Sequence, residues 1–123
     1  MATNTRLTFK EMCTQFAVTP RTLRYYEYIE LLEPEKEARS RFYKAREIGR
    51  MKLIMRGRRF GFSLEEIRQW LEMYETGNTK NQMAVWVDRA DRQIDELIKQ
   101  HSDLEDTIQE LKKLRDAAAA GLG

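Results

Sequence analysis

Two arginines and three threonine or tyrosine hydroxyls crowd into one short run of the chain, Thr19-Pro20-Arg21-Thr22-Leu23-Arg24-Tyr25. An arginine can bridge O6 and N7 of a guanine or grip a phosphate, and a threonine hydroxyl can bond to either. Thr19 is a good N-cap and Pro20 suits the first helical position, so we predict a short helix from Arg21 to about Tyr28. The N-terminus of such a helix itself favours a phosphate.

Another helix is predicted just before this one. Thr8 and Glu11 have the spacing of a capping box, which marks a helix start. Apolar residues then recur at helical spacing on one stripe: Phe9, Met12, Cys13 and Phe16. We interpret Cys13 as a small buried hydrophobe, not a reactive thiol. Two short helices joined so tightly, the second opening with arginines, form the pattern of a helix-turn-helix motif.

The tyrosines of the second helix cannot share one environment. Neighbouring helix positions diverge by about 100°, so Tyr25, Tyr26 and Tyr28 cannot all be buried. At least one faces solvent, where its phenol could contact a phosphate. For any single tyrosine, packing in an aromatic cluster is an equal alternative.

A polar segment between the apolar pairs Leu31-Leu32 and Phe42-Tyr43 could form a small two-stranded wing. On an extended strand Arg39 and Arg41 would point the same way, both outward if Phe42 points inward. Exposed arginines beside a recognition helix suit the sugar-phosphate backbone, which fixes register without reading sequence.

Two longer helices follow. From Ala45 to about Phe60, apolar residues occupy one face and cations surround the rest, with Gly61 as the residue that ends the helix. Ser63 and Glu66 then have the spacing of a second capping box. We place a first domain at residues 5–76.

The charge is divided between the two halves of the chain. Residues 1–60 hold 14 Lys/Arg and 7 Asp/Glu, whereas residues 61–123 hold 8 Lys/Arg and 13 Asp/Glu. A basic half of this kind favours a polyanionic partner, with nucleic acid the first candidate.

The acidic half carries a coiled-coil pattern. Apolar residues recur at alternating steps of three and four: Val87, Ala90, Ile94, Leu97, His101, Leu104, Ile108 and Leu111. A seam this long and narrow needs a partner helix, most economically the same helix of a second copy. His101 could set register as a polar seam residue or sense pH. We predict a linker at 77–82, a dimerisation helix at 83–116 and a flexible tail at 117–123.

Several classes of protein are disfavoured by composition. No stretch approaches the roughly 20 apolar residues of a membrane helix and no signal-peptide block follows Met1, so we expect a cytoplasmic protein without membrane association. A single cysteine and a single histidine cannot build a zinc cage within one chain, and we predict no metal and no cofactor. Neither a paired base and nucleophile nor a Gly-rich phosphate loop is visible, so we predict no enzyme activity.

Taken together, four runs closely resemble the MerR family of bacterial transcriptional regulators: residues 19–27 (TPRTLRYYE), 31–34 (LLEP), 41–43 (RFY) and 61–67 (GFSLEEI). The resemblance extends from about Leu7 to Tyr74. It implies a mostly α-helical fold, in which a winged helix-turn-helix domain precedes a long antiparallel coiled-coil helix. It also implies a homodimer on a palindromic operator in double-stranded DNA, which it distorts so that RNA polymerase can engage the promoter.

Carried over position by position, the resemblance and the chemistry together predict ten DNA-binding residues: Thr19, Arg21, Thr22, Arg24, Tyr25, Tyr26, Arg39, Arg41, Tyr43 and Arg59. The chain departs from the family where Ala17 and Glu30 replace common glycines and Ser40 replaces a wing tyrosine. It also lacks the cysteines that metal-sensing and redox-sensing members have at the ends of the dimer helix. The competing interpretation is a helical adaptor whose coiled coil recruits a protein and whose basic half is incidental.

Overall fold

The computed structural model describes residues 6–77 and 79–122, which fall into two compact units divided between Asn78 and Thr79. In the first unit the elements are β1 (Arg6–Thr8), α1 (Phe9–Phe16), α2 (Pro20–Tyr28), β2 (Glu35–Glu37), β3 (Ser40–Lys44), α3 (Ala45–Phe60) and α4 (Leu64–Thr76). The second unit is one helix, α5 (Lys80–Leu122). Predicted residues 5, Asn78 and Gly123 lie outside the described part of the chain.

The helix starts follow the predicted local signals. Thr8 and Glu11 bond reciprocally at the start of α1, and Ser63 and Glu66 do the same at the start of α4. Each pair satisfies backbone N–H groups that have no partner within the helix. Gly61 ends α3 in the left-handed conformation, with φ of 91°, as predicted.

The wing is larger than the sequence indicated. In the described residues, the strands form an antiparallel sheet in the order β1-β3-β2, so β1 adds a third strand to the two predicted. Leu7 pairs with Tyr43, and Lys36 pairs with Arg41. The sheet thereby ties the residues just before α1 to the wing.

One core underlies the helix-turn-helix and the wing. Its fully buried members include Met12 of α1, Leu23 of α2, Tyr43 of β3, Met51 of α3 and Leu71 of α4. Because every element of the first unit except β1 and β2 contributes a residue with no exposed surface, the orientation of α2 is set by packing from several sides. Cys13 is only partly buried, at the edge of this core, and burial raises the pKa of its thiol.

Helix α5 differs from the predicted segmentation at both ends. It begins at Lys80, inside the predicted linker of 77–82, and residues 117–122 of the predicted flexible tail are helical. The run Ala117–Ala120 explains the second difference, since alanine has the highest intrinsic helix propensity. No helix in the described residues is long and apolar enough to cross a membrane.

Candidate nucleic-acid interface

Helix α2 presents its arginines to solvent from a helix start that is well fixed. The Thr19 hydroxyl accepts the backbone N–H of Thr22 at 3.1 Å, and the two threonine hydroxyls lie 2.9 Å apart. Arg21 and Arg24 are exposed on the following turn, whereas Leu23 between them is completely buried. The helix therefore keeps one face in the core and offers a cationic face at its N-terminal half.

The three tyrosines of α2 divide as helical geometry requires. Tyr26 is buried, Tyr25 is half exposed and Tyr28 is exposed. Tyr25 thus remains available for a contact with DNA, as predicted, but Tyr26 does not. The prediction of Tyr26 as a contact residue is corrected, because its side chain lies inside the core.

In strand β3 of the wing, the side chains that point inward are not the ones expected from the sequence. Tyr43, not Phe42, points into the core, where its hydroxyl donates a hydrogen bond to Glu27 of α2. Phe42 lies on the other face of the sheet, with the Arg6 guanidinium 3.9 Å from its ring centroid. The predicted role of Tyr43 in DNA contact is therefore also corrected: its buried hydroxyl joins the wing to α2.

The change of phase places the wing arginines differently too. Arg41 shares the face of Tyr43 and forms an ion pair with Glu27 at 3.2 Å. Arg39 lies in the turn between β2 and β3, just after Ala38, and is fully exposed. The prediction that the two arginines share one strand face is therefore wrong. Both are nevertheless at least partly exposed.

Glu27 is the carboxylate that links the recognition helix to the wing. Burial raises its pKa, and the nearby cations Arg41, Lys36 and Arg24 oppose that rise. Its two oxygens are occupied by Arg41 and by the Tyr43 hydroxyl. Sequence reasoning missed this role, since the three residues come from two separate elements and no local pattern connects them.

The C-terminal end of α2 is held by arginines from α3 and α4. Arg50 donates to the carbonyl of Leu31 at 2.8 Å and to Glu75 at 2.5 Å, and Arg68 donates to the carbonyl of Ile29. Buried Glu47 accepts the backbone N–H of Glu33 at 3.0 Å. These bonds fix the exit from α2 against the two longer helices, and they too were absent from the sequence prediction.

Arg59, the predicted contact residue farthest along the first unit, is exposed in the last turn of α3. It lies two residues before Gly61 and next to Phe60, whose ring meets the Phe62 ring edge-on at 6.2 Å. The corner after α3 thus has an aromatic contact and an exposed cation beside it.

In helix α5 the seam residues are exposed within a single chain. Ile94, Leu97, Leu104, Ile108 and Leu111 each leave 39% or more of their surface in solvent. Ile98 and Leu114 are exposed as well, on positions flanking the seam. A long exposed apolar stripe of this kind is typical of a helix that packs against a partner.

The first unit has the architecture of a winged helix-turn-helix DNA-binding domain, in which α1 and α2 form the motif and the β-sheet the wing. Two family models match the chain: "MerR HTH family regulatory protein" over residues 7–74 and "MerR, DNA binding" over residues 48–114. The chain belongs to the MerR family and is a DNA-binding transcriptional regulator of that type.

Curated relatives agree. An HTH-type transcriptional regulator of Pseudomonas aeruginosa, PA4778, is 34% identical over 108 residues, which cover 82% of this chain and 79% of the relative. HmrR of Rhizobium leguminosarum is 43% identical over 56 residues, covering 45% of this chain and 43% of its own. ZntR of Escherichia coli is 40% identical over 65 residues, covering 51% and 46%.

Solved structures share the fold. A MerR family regulator from Bacillus cereus has a TM-score of 0.72 at 22% identity, covering 89% of this chain and 79% of its own. HiNmlR, a MerR family regulator lacking the sensor domain and bound to promoter DNA, has a TM-score of 0.65 at 17% identity, with coverages of 83% and 80%. PbrR691 from Ralstonia metallidurans, in complex with lead(II), has a TM-score of 0.60 at 25% identity, with coverages of 85% and 84%. In the described residues of the present chain, no group of three or more His, Cys, Asp or Glu side chains is placed to hold a metal.

Proposed function

We propose that this protein is a homodimer that binds a palindromic operator in double-stranded DNA and controls transcription from the promoter around it. The observation that carries the proposal is the exposed cationic face at the start of α2, where Arg21 and Arg24 face solvent and Arg24 lies beside the wing arginines Arg39 and Arg41. A recognition helix in the major groove reads base edges with residues of its N-terminal half, and a wing contacts the backbone. Arg59 supplies a further backbone contact at the corner after α3.

The dimer follows from the seam of α5. Eight positions repeat at steps of three and four, and the large apolar side chains among them are exposed in one chain. A second copy of the same helix offers a matching stripe, and a closed two-fold pair buries both. Two copies also supply two recognition helices, which is what a palindromic site requires.

An antiparallel pair accounts for all eight seam residues at once. If the two copies cross at Lys99, Val87 meets the partner's Leu111 and Ala90 meets the partner's Ile108. Likewise Ile94 meets the partner's Leu104, and Leu97 meets the partner's His101. Each pair joins an a position to a d position, which is the packing of antiparallel coils. In this register Ile98 of one copy lies near Ile98 of the partner subunit, beside the seam. The exposed Ile98 side chain would therefore be covered too.

We infer further that the bound protein bends or untwists its operator and thereby changes how RNA polymerase engages the promoter. A dimer with two fixed recognition helices imposes its own spacing on the DNA, and deforming a short site costs several kcal/mol that phosphate contacts must offset. The work takes place in the cytoplasm, where DNA and polymerase meet.

The DNA-binding proposal is tested by selecting duplexes from a randomised pool with the full-length protein, then titrating the enriched duplex by fluorescence anisotropy. We expect a palindromic consensus and affinity at least roughly 1,000-fold above random duplex. The affinity should fall steeply as salt rises, because cation displacement from phosphates drives binding. Enrichment of no sequence, or affinity equal to random duplex, would overturn the proposal.

A double substitution separates DNA binding from the adaptor interpretation. Arg24→Ala with Arg41→Ala removes one cation from α2 and one from the wing, and we expect operator binding to be lost while the dimer persists in sedimentation. Lys112→Ala with Lys113→Ala removes two exposed cations from α5 and serves as the matched control. Loss of binding to a protein partner alone, with operator binding unaffected, would favour the adaptor.

The orientation of the pair is tested by cross-linking in a Cys13→Ala background. Val87→Cys mixed with Leu111→Cys should form a disulfide between copies in the antiparallel register. Val87→Cys alone should not, since its two copies would lie about 36 Å apart along the coil. A disulfide formed by Val87→Cys with itself would instead show a parallel pair.

A further inference from the structure

A cleft of about 400 Å³ lies where α1, α2 and the turn between β2 and β3 meet. Four cations line it: Lys10, Arg24, Arg39 and Arg41. Thr8, Phe9, Ser40 and Phe42 complete its walls, and none of these lining residues is acidic. The cleft is therefore a positively charged opening, built from three separate elements of the first unit, that could accept an anion.

Phe9 organises the cations of this cleft. Its ring centroid is 5.4 Å from the Arg24 guanidinium carbon and 5.6 Å from that of Arg41. Both distances are within the range of attraction between a cation and an aromatic face. Because Phe9 is partly buried and packs against the core, its ring is a fixed platform for two side chains that would otherwise repel each other.

Arg41 is held from a second side as well. Glu27 pairs with it at 3.2 Å, yet 36% of the Arg41 side chain stays exposed. Glu27 thus orients the guanidinium while leaving donors free to face the cleft. Lys10, in the first turn of α1, is exposed, and the carboxylate of the neighbouring Glu11 accepts the backbone N–H of Thr8.

We propose that this cleft binds one phosphate of the DNA backbone in each half-site, with Lys10, Arg24 and Arg41 as its ligands and Phe9 as the positioning residue. The inference rests on the proposed DNA-binding function and adds to it two residues of α1. Three cations that converge from different elements suit a compact anion such as phosphate. A base edge is instead read by a single arginine whose guanidinium projects into the groove. Lysine also contributes as a point charge, which phosphate accepts from any direction.

The first test uses full-length protein and the selected duplex. Lys10→Ala should weaken operator binding. It should also reduce the steepness of log affinity against log salt by about 1 for each cleft that loses its lysine. Lys113→Ala, which removes an exposed lysine from α5, should leave the slope unchanged. Operator binding by the wild type with an unaltered slope in Lys10→Ala would overturn the cleft inference alone. Absence of specific binding by the wild type would overturn both proposals.

The second test locates the phosphate. Methylphosphonates, which are uncharged, replace the operator phosphates one symmetric pair at a time. At one pair the loss of affinity should be smaller for Lys10→Ala than for the wild type, because the variant has already lost one of the three contacts that this phosphate makes. Additive losses at every position would contradict the assignment. A free-anion site unrelated to DNA would show instead as competition by millimolar inorganic phosphate without any such position.

The third test concerns Phe9. Phe9→Leu keeps an apolar side chain against the core and removes the ring, so operator affinity should fall roughly two- to fivefold. Phe9→Tyr retains a ring and should restore the affinity. A purely structural role predicts that affinity follows thermal stability in both variants; the positioning role predicts that it follows the ring.

Discussion

The two units of this chain treat their apolar residues in opposite ways. In the first, α1 to α4 bury one face each, and twelve hydrophobic side chains form a shared core. In the second, α5 has no buried residue at all among those described, although its apolar positions are as regular as any in the chain. The contrast teaches that the first unit buries its apolar residues within a single copy, whereas the apolar pattern of the second stays exposed in a single copy.

The largest effect should come from a charge in the α5 seam. Leu104→Asp places a carboxylate where two helices would meet, and an unpaired buried charge costs several kcal/mol. We expect the dimer to dissociate and operator affinity to fall by roughly 100-fold or more, since one copy then holds one half-site. Sedimentation velocity measures the first effect and anisotropy the second.

Its control is Ser102→Asp, which adds the same charge at an exposed position off the seam. This variant should remain dimeric. If Leu104→Asp also stayed dimeric at micromolar concentration, the seam of α5 would not be the dimer interface, and its exposed apolar residues would pack against another partner.

A smaller effect is expected where α3 and α4 cross in the first unit. A Cβ added at Gly57 would lie 2.7 Å from Cγ1 of buried Ile67, so Gly57→Ala should destabilise the fold by about 1–3 kcal/mol. Gly49, in the same helix, has nothing within 4 Å of an added Cβ. Gly49→Ala should therefore stabilise by about 0.5–1 kcal/mol. Urea unfolding of both variants checks the opposite signs; the same sign for both would refute the close packing.

Two positions where the family commonly has glycine give a third prediction. Ala17 has φ of 52° and Glu30 has φ of 64°, so this chain keeps the left-handed turns without the residue that suits them. Ala17→Gly and Glu30→Gly should each stabilise by about 1 kcal/mol. Gln15→Gly, in the last helical turn of α1, should cost about 0.5–1 kcal/mol. Thermal unfolding that ranks all three alike would contradict this account.

The smallest effect concerns Glu75, the partner of Arg46 and Arg50. Burial works against its ionisation, but the bonds and charges of Arg50 and Arg46 outweigh it and lower the pKa of Glu75. A lowered folded pKa adds stability above the ordinary value of 4.5, which is lost as the pH falls through the folded pKa. Glu75→Gln should thus cost about 0.5–1 kcal/mol at pH 7.

The measurement is the thermal midpoint of wild type and Glu75→Gln from pH 7 down to acid. The two curves should converge below pH 4.5, where the wild-type carboxylate takes up its proton. A constant gap at every pH would show that Glu75 acts through packing and not through its charge.

Local signals explain what the sequence predicted well. The capping boxes at Thr8 and Ser63, and the glycine at residue 61, depend on neighbours within a few residues, and all three were correct. That Tyr25, Tyr26 and Tyr28 are not all buried follows from helical geometry in the same way, although the assignment of Tyr26 to DNA contact was wrong. The seam of α5 also comes from a local period in the sequence, and its pairing with a second copy stays a prediction.

Features that depend on distant residues were missed or misread. Strand β1 is only three residues long, and its identity comes from pairing with β3. The prediction of which face of β3 points inward was wrong. Tyr43 faces the core, where its hydroxyl bonds to Glu27, a residue of another element. Lys10 and Phe9 gave no signal of their own, as the cleft exists only where three elements converge.

The arginines at the end of α2 have an electrostatic consequence. A helix carries a partial negative charge at its carboxyl end and a partial positive charge at its amino end. In α2 the negative pole is neutralised inside the molecule, because Arg50 and Arg68 bond to the carbonyls of Leu31 and Ile29 just beyond it. No acidic residue lies in the first turn to offset the positive pole. The helix is thus left electrically one-sided, with its uncompensated end directed at whatever anion approaches Arg21.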